Sequence, residues 1–190
     1  GDHRDLHSFP TRRSSDLLAM LNAEVPEIKE IPTIRFHEAK QIMEEKFGHK
    51  SKNRYDLNPD EEVLLCQWAK EEHDSDFVFV THFPSAKRPF YAKDDPEDPK
   101  LALSFDLLFR GLEITTGGQR IHDYQEQMDK LAARKMNAEL FESFTMLHKY
   151  GMPPHGGLGI GLERLTMQLL GLNNIREASM FPRDMNRLEP

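Results

Sequence analysis

Residues 155–165 read His155-Gly156-Gly157-Leu158-Gly159-Ile160-Gly161-Leu162-Glu163-Arg164-Leu165, and this run predicts a short strand that leads into a helix. Glycine lets the backbone approach a ligand closely. A helix that begins near Gly161 would turn its free N–H groups toward an anion, and Arg164 adds a planar cation suited to a base or a phosphate. The run therefore favours nucleotide binding, although a tightly packed turn between a strand and a helix would need glycines as well.

A second segment lies upstream and carries charged residues within a strand-like pattern: Phe105-Asp106-Leu107-Leu108-Phe109-Arg110-Gly111-Leu112-Glu113-Ile114-Thr115-Thr116-Gly117-Gly118-Gln119-Arg120-Ile121-His122. Glu113 interrupts an apolar run, and Arg120 follows a Gly-Gly pair. Buried strands seldom contain ionised groups unless these are paired, bind a metal or face a ligand. We therefore expect a ligand or metal site here. The alternative is an edge strand with a solvated acid and a surface arginine.

Together the two segments resemble the class II aminoacyl-tRNA synthetases. Residues 112–122 are similar to the late active-site strands of that class, and residues 157–164 are similar to its third signature motif. Three further stretches narrow the resemblance to the aspartate-specific branch of the archaeal and eukaryotic type: Phe105-Asp106, residues 150–157 and residues 181–190. The resemblance runs from about Ile28 to Pro190, and it implies an α+β fold in which helices flank an antiparallel sheet.

The resemblance also assigns roles to residues of the second segment. Glu113 and Thr116 match the oxygen ligands of a magnesium ion that bridges the ATP phosphates. The family often has serine at the position of Thr116, and threonine keeps the hydroxyl group. Arg120 matches the arginine that grips the side-chain carboxylate of the substrate, a contact that suits the bidentate geometry of a guanidinium.

The same resemblance implies that the glycine-rich run at residues 157–164 forms the nucleotide site. Arg164 matches the arginine that engages the adenine and the terminal phosphate of ATP. Gly161, Leu162 and Glu163 match the surrounding wall of the nucleotide site.

The implied activity is ATP-dependent activation of L-aspartate to aspartyl-adenylate, followed by transfer to the acceptor end of tRNA. This chemistry needs positioning and charge neutralisation rather than a side-chain nucleophile. We therefore expect no catalytic role for a set of histidines: His82, His122, His148 and His155. Three residues on the loop after the strand at Phe77 are expected to border the substrate: Lys87, Arg88 and Tyr91. An asparagine–tRNA ligase, a tRNA-independent amino-acid ligase and an inactive synthetase-like binding module are the alternatives.

Residues 1–17 match nothing in that family. They can be back-translated into a DNA string that resembles a widely used short-read sequencing adapter, so we interpret them as a disordered artefact. A natural basic tail or a targeting peptide is the alternative, and Asp2, Asp5 and Asp16 argue against a transit peptide. We interpret residues 18–190 as the C-terminal part of a class II catalytic domain. We expect the first and second motifs and the anticodon-binding domain to be missing. We also expect the parent protein to be a homodimer. The fragment alone is expected to be inactive.

Composition sets further bounds. The 190 residues suffice for one domain with a sizeable core, and the formal net charge of −7 gives no global basic footprint for nucleic acid. The single cysteine, Cys66, fits a reducing, cytoplasmic location and is expected in the core. No apolar run approaches the roughly twenty residues that span a bilayer, so we expect no membrane association.

Local signals predict the elements that precede the two segments. Phe36, Ala39, Met43 and Phe47 share one helix face, and Gly48 can end that helix. The run Asn58-Pro59-Asp60-Glu61 predicts the start of a second helix, which continues to about Glu72. The apolar run Phe77–Thr81 predicts a strand buried on both faces.

The remaining elements complete the predicted order. Strands are expected at 101–108 and 112–121, paired around Arg110-Gly111. Asp123 is expected to cap a helix to about Met136, and Asn137 a helix to about Tyr150. The last elements are a strand at 157–160 and a helix at 162–170, which ends at Gly171. This order lacks a regular alternation of strands and helices, which favours an α+β fold with an antiparallel sheet.

Overall fold

The computed structural model describes residues 16–186 and 188. The described residues divide into two compact units, one formed by residues 31–160 and the other by the described residues on either side of it. Residues 1–15, which carry most of the segment interpreted as an artefact, lie outside the described residues. Asp16 and Leu17 belong to a short helical segment at 16–20. The artefact interpretation stays a prediction.

Within the described residues, the larger unit contains a sheet of five strands whose spatial order follows the chain. The strands are β1 (Thr33–Arg35), β2 (Phe77–Thr81), β3 (Ser104–Phe109), β4 (Leu112–Arg120) and β5 (His155–Ile160). The pairs β2–β3, β3–β4 and β4–β5 are antiparallel, and β1 pairs with β2 in parallel. The predicted α+β class is confirmed. The sheet is not wholly antiparallel, however, because β1 pairs in parallel. This strand was not predicted, since three residues are too few to show a periodic pattern.

Two helices pack on the face of the sheet that carries Val78 and Leu108. Helix α1 spans Phe36–Phe47 and ends at Gly48, which has a φ of 64°. Helix α2 spans Pro59–His73, and the side chain of Asn58 accepts the amide proton of Glu61 at its start. Both boundaries agree with the predicted caps. The buried core between the helices and the sheet consists of Phe36, Ala39, Met43, Leu65, Cys66, Ala69, Val78, Val80, Phe83 and Leu108.

The next two predicted helices differ from the structure at their ends. Helix α3 spans Tyr124–Ala133 rather than reaching Met136, because Lys135 adopts a φ of 56° that closes the helix. The helix predicted from Asn137 is divided into a 3₁₀ turn, Ala138–Phe141, and helix α4, Glu142–Lys149. Asn137 caps the 3₁₀ turn by accepting from the amide of Glu139.

The smaller unit contains helix α5, Leu162–Leu170, which ends at Gly171 with a φ of 65° as predicted. A 3₁₀ turn, Ile175–Ala178, follows and packs against α5. Across both units, no helix of the described residues is long and apolar enough to cross a membrane.

Candidate active site

A β-bulge in β4 brings two predicted metal ligands to the same face of the sheet. Thr116 pairs with Asp106 of β3, whereas Glu113 pairs with Leu108, so Ile114 is left without an opposite residue. Asp106 and Leu108 are two positions apart and share a face, and paired residues point to the same side. Glu113 and Thr116 therefore share that face, although a regular strand would place residues three apart on opposite faces. Bulges of this kind often re-aim side chains beside active sites.

The same face holds an ionic cluster around the buried Asp106. The guanidinium of Arg88 donates to both carboxylate oxygens of Asp106, at 3.0 and 2.8 Å. The hydroxyl of Thr116 donates to Asp106 Oδ1 at 2.5 Å and accepts from Arg88 Nη1 at 3.2 Å. The guanidinium of Arg88 also lies 3.8 Å above the ring centroid of Phe83. The guanidinium of Arg88 thus contacts three side chains, those of Asp106, Thr116 and Phe83.

A cavity of about 270 Å³ opens beside this cluster. This volume lies just below the usual range for ligand pockets, which suits a small polar ligand. The lining comes from the loop after β2, the start of β3, the later half of β4 and the middle of β5: Arg88, Pro89, Tyr91, Ala92, Ser104, Thr116, Gly117, Gly118, Gln119, Arg120, Gly157, Leu158 and Gly159.

Arg120 is the second cation of the cavity, and its surroundings differ from those of Arg88. Its guanidinium carbon lies 5.1 Å from the ring centroid of Tyr91, a distance typical of a cation–π contact. Within residues 16–186 and 188, no carboxylate forms an ion pair with Arg120. A methyl group on Gly157 would lie 2.6 Å from Cζ of Arg120, so the guanidinium occupies space that only glycine leaves open. Arg120 is therefore available to an anionic ligand.

The remaining predicted substrate and metal residues are placed as follows. Arg88 and Tyr91 line the cavity, and Lys87 does not. Glu113 is half-buried outside the cavity lining, and its amide donates to Glu62 Oε2 at 2.7 Å. Asp106 was given no role in the sequence analysis, although it is an acid within an apolar strand and so carries the same signal that singled out Glu113.

The predicted nucleotide residues lie in the smaller unit, at the start of α5. Gly161 is the N-cap residue, and among the described residues no side chain caps this helix end. Leu162, Glu163 and Arg164 form the exposed first turn. The aliphatic part of Arg164 folds back toward Gly161, because a methyl group there would lie 3.3–3.4 Å from its Cβ, Cγ and Cδ. This end therefore combines free backbone N–H groups with a guanidinium.

Two observations limit the side chains that could act as nucleophile or base. Burial raises the pKa of the Cys66 thiol to about 11, which suppresses the reactive thiolate. His148 is buried, and its ring nitrogens lie 3.2 Å from the carbonyl oxygens of Phe144 and Ile121, so it connects α4 to the segment after β4. The surroundings of Cys66 and His148 thus favour a structural role for both side chains.

Comparison with known proteins shows similarity over most of the chain. The family described as tRNA synthetases class II (D, K and N) matches residues 9–185, so the match begins inside the segment interpreted as an artefact. The aspartate–tRNA(Asp/Asn) ligase of Deinococcus radiodurans is 50% identical over 177 residues, which cover 90% of this chain and 40% of that ligase. The chain thus spans about two fifths of the length of this relative.

Two solved structures from Entamoeba histolytica are similar to the chain in fold. Its aspartyl-tRNA synthetase gives a TM-score of 0.80 at 36% identity, covering 85% of this chain and 33% of that one. Its asparaginyl-tRNA synthetase in complex with asparaginyl-adenylate gives a TM-score of 0.81 at 30% identity, covering 93% of this chain and 41% of that one. The similarity in fold therefore extends to relatives of both amino-acid specificities.

Proposed function

The chain belongs to the class II tRNA synthetases of the D, K and N group, and we propose that it is part of an aspartate–tRNA ligase. The proposed reaction is ATP-dependent activation of L-aspartate to aspartyl-adenylate, followed by transfer of the aspartyl group to tRNA. The observation that carries the proposal is the guanidinium of Arg120, which lies in a small cavity and has no carboxylate partner among the described residues.

Arg120 is proposed to hold the side-chain carboxylate of aspartate. A guanidinium binds a carboxylate through two parallel hydrogen bonds, and the ring of Tyr91 and the bare backbone of Gly157 restrict where it can lie. Asparagine presents one acceptor and one amide donor in the same place. Because the amide donor would face a guanidinium that only donates, this geometry supports aspartate over asparagine.

The residues beside the cavity fit a magnesium ion. Asp106, Glu113 and Thr116 share one face of the sheet and offer carboxylate and hydroxyl oxygens, the ligand type that Mg²⁺ prefers. Among the described residues, no group of three His, Cys, Asp or Glu side chains could hold a metal. The ion would therefore need phosphate oxygens as well, which is common for magnesium bound with ATP. When bound, it would neutralise phosphate charge.

The exposed start of α5 is proposed to contribute to ATP binding. Its free N–H groups and positive dipole end favour a phosphate, and Arg164 adds a cation that can also stack on a base. Gly161, Leu162 and Glu163 form the backbone around it. We propose that Arg164 engages the adenine and the terminal phosphate.

No covalent bond between enzyme and substrate is needed for this reaction. The α-carboxylate of aspartate attacks the α-phosphorus of ATP, the bond to the bridging oxygen breaks, and pyrophosphate leaves with that electron pair. The ribose hydroxyl at the end of tRNA then takes the aspartyl group and releases AMP. The chain's contribution is to position the amino acid through Arg120 and to neutralise charge, which are large effects in such reactions.

An asparagine–tRNA ligase is the second candidate, because the fold is equally similar to a synthetase solved with asparaginyl-adenylate. For either ligase we also propose that the acceptor end of tRNA is a partner, that the parent protein is a homodimer and that it is cytoplasmic. The single cysteine, which is free and buried, supports a reducing compartment.

The proposal can be tested in a chimeric ligase in which residues 18–190 of this chain replace the segment that they match in the Deinococcus radiodurans ligase. We expect the chimera to exchange labelled pyrophosphate into ATP when aspartate is present and to do so poorly with asparagine. The 190-residue chain alone, assayed in parallel, is expected to give no exchange. Exchange that depends on asparagine would support the second candidate, and no exchange with either amino acid in a folded chimera would contradict the proposed function.

A further inference from the structure

The loop at residues 85–94 carries four residues of the cavity lining, Arg88, Pro89, Tyr91 and Ala92, and backbone hydrogen bonds hold its later half in place. The carbonyl of Tyr91 accepts from the amide of Ile121 at 2.9 Å, and the amide of Lys93 donates to the carbonyl of Gln119 at 3.0 Å. These two bonds attach the later half of the loop to the end of β4. The earlier half, from Ser85, must be fixed by other contacts.

Lys130 of α3 joins the two ends of this loop. Its ammonium group donates to the hydroxyl of Ser85 at 2.9 Å and to the carboxylate of Asp94, and the hydroxyl of Ser85 also donates to Asp94. The side chain of Lys130 is only 10% exposed, and Ser85 is 8% exposed. The side chain of Asp94 is 29% exposed, so the cluster lies at the edge of the interior, and removing Lys130 would leave the carboxylate with the Ser85 hydroxyl but without its cation.

Three further side chains of α3 and its C-cap contact the same loop. Glu126 pairs with Lys93 at 2.7 Å, and the fully buried Gln127 donates to the carbonyl of Phe90 at 3.1 Å. Arg134 donates to the carbonyl of Ser85 at 2.7 Å. With Lys130, they form a stripe along one side of α3 that follows the loop from end to end.

We propose that Lys130 is a positioning residue for amino-acid binding. By adding its charge to the Ser85–Asp94 hydrogen bond it keeps the two ends of the loop together, and the closed loop holds Tyr91 against the guanidinium of Arg120. Lys130 itself does not line the cavity, so it acts through the loop. The inference rests on the proposed function, because it takes Arg120 as the group that binds the substrate carboxylate.

The test compares Lys130→Met with Lys130→Arg, which restores the charge, and with Lys149→Met, at an exposed position of α4, as the matched control. Hydrogen exchange of the 190-residue chain reports the loop directly. We expect the amides of residues 85–94 to exchange at least tenfold faster in Lys130→Met only. In the chimeric ligase, we expect Lys130→Met to raise KM for aspartate about tenfold, while KM for ATP and kcat at saturating aspartate change less than twofold.

Asp94→Asn gives a second variant that removes the same charge pair with little change in volume, and it should behave as Lys130→Met does. A loop that exchanges at the parent rate in both variants would overturn the inference, as would a loosened loop with unchanged KM for aspartate. Equal losses for aspartate and ATP would also overturn it, since they would indicate a general loss of structure. A chimera without activity would contradict the proposed function, and hydrogen exchange would then still decide whether Lys130 holds the loop.

Discussion

The guanidinium of Arg120 occupies the space that a side chain at Gly157 would need. Gly157 pairs with Gly118 across β4 and β5, and Arg120 lies two positions further along β4, so the long arginine side chain crosses diagonally over the neighbouring strand. A methyl group at Gly157 would lie 2.6 Å from its Cζ. This relationship explains a glycine of the glycine-rich run by close approach of a side chain rather than by a positive φ.

Gly157→Ala is therefore expected to displace Arg120 and to weaken aspartate binding. Charge-assisted hydrogen bonds contribute about 1.5–3 kcal/mol each, so loss of one should raise KM for aspartate in the chimera about tenfold or more. Pyrophosphate exchange at varied aspartate measures this. The control is the same substitution in an Arg120→Leu background, where the methyl group meets no guanidinium and should add little to the loss. An equal further loss in that background would refute this explanation.

Glu113→Gln should raise the magnesium concentration needed for half-maximal exchange by about tenfold, because it removes a carboxylate that Mg²⁺ prefers as a ligand. The measurement is a magnesium titration of the chimera at fixed ATP. Glu97→Gln, at an exposed position, serves as control. An unchanged magnesium requirement would show that the face shared by Glu113 and Thr116 is not a metal site.

Stability should fall in acid through the buried carboxylate of Glu61. Burial raises its pKa, but hydrogen bonds from Lys40, at 2.8 Å, and from Ser51 and the Asn58 amide outweigh burial and hold the pKa below its ordinary value. A lowered pKa stabilises the fold above the ordinary pKa, and this contribution is lost as the pH falls through the folded-state pKa. Urea unfolding between about pH 5 and pH 3 should therefore depend less on pH in Glu61→Gln. An unchanged slope would mean that Glu61 does not contribute.

Cys66 should be inert in the folded chain. The residue is 7% exposed and the pKa of its thiol is raised to about 11 by burial, so at pH 8 only about one molecule in a thousand carries the thiolate. We expect iodoacetamide to modify it only after unfolding in urea, as measured by intact mass. Rapid modification without urea would contradict both its burial and its structural role.

The sequence predicts this fold best where a local signal determines an element boundary. Gly48 and Gly171 end their helices with positive φ, and Asn58 begins α2 as a capping residue. Such contacts form within a few residues, so the sequence alone contains them. The break between the 3₁₀ turn and α4 has no comparable signal, and the predicted helix from Asn137 was wrong there.

The candidate site depends on contacts between distant residues, and those were harder to predict. The bulge that unites Glu113 with Thr116 appears only when β4 pairs with β3. The position of Arg120 over Tyr91 needs a loop from another part of the chain. The resemblance to a family identified most of the candidate residues. It did not indicate that Asp106 accepts from the hydroxyl of Thr116, or that side chains of α3 contact the loop at residues 85–94.

The most direct test of the central claim is the KM for aspartate of Arg120→Leu in the chimeric ligase. If Arg120 holds the side-chain carboxylate, this variant should raise KM for aspartate by about 100-fold or more, since two charge-assisted hydrogen bonds are lost. KM for ATP should change less than twofold, and Arg54→Leu, at an exposed position, should behave as the parent. A folded Arg120→Leu variant with an unchanged KM for aspartate would contradict the account.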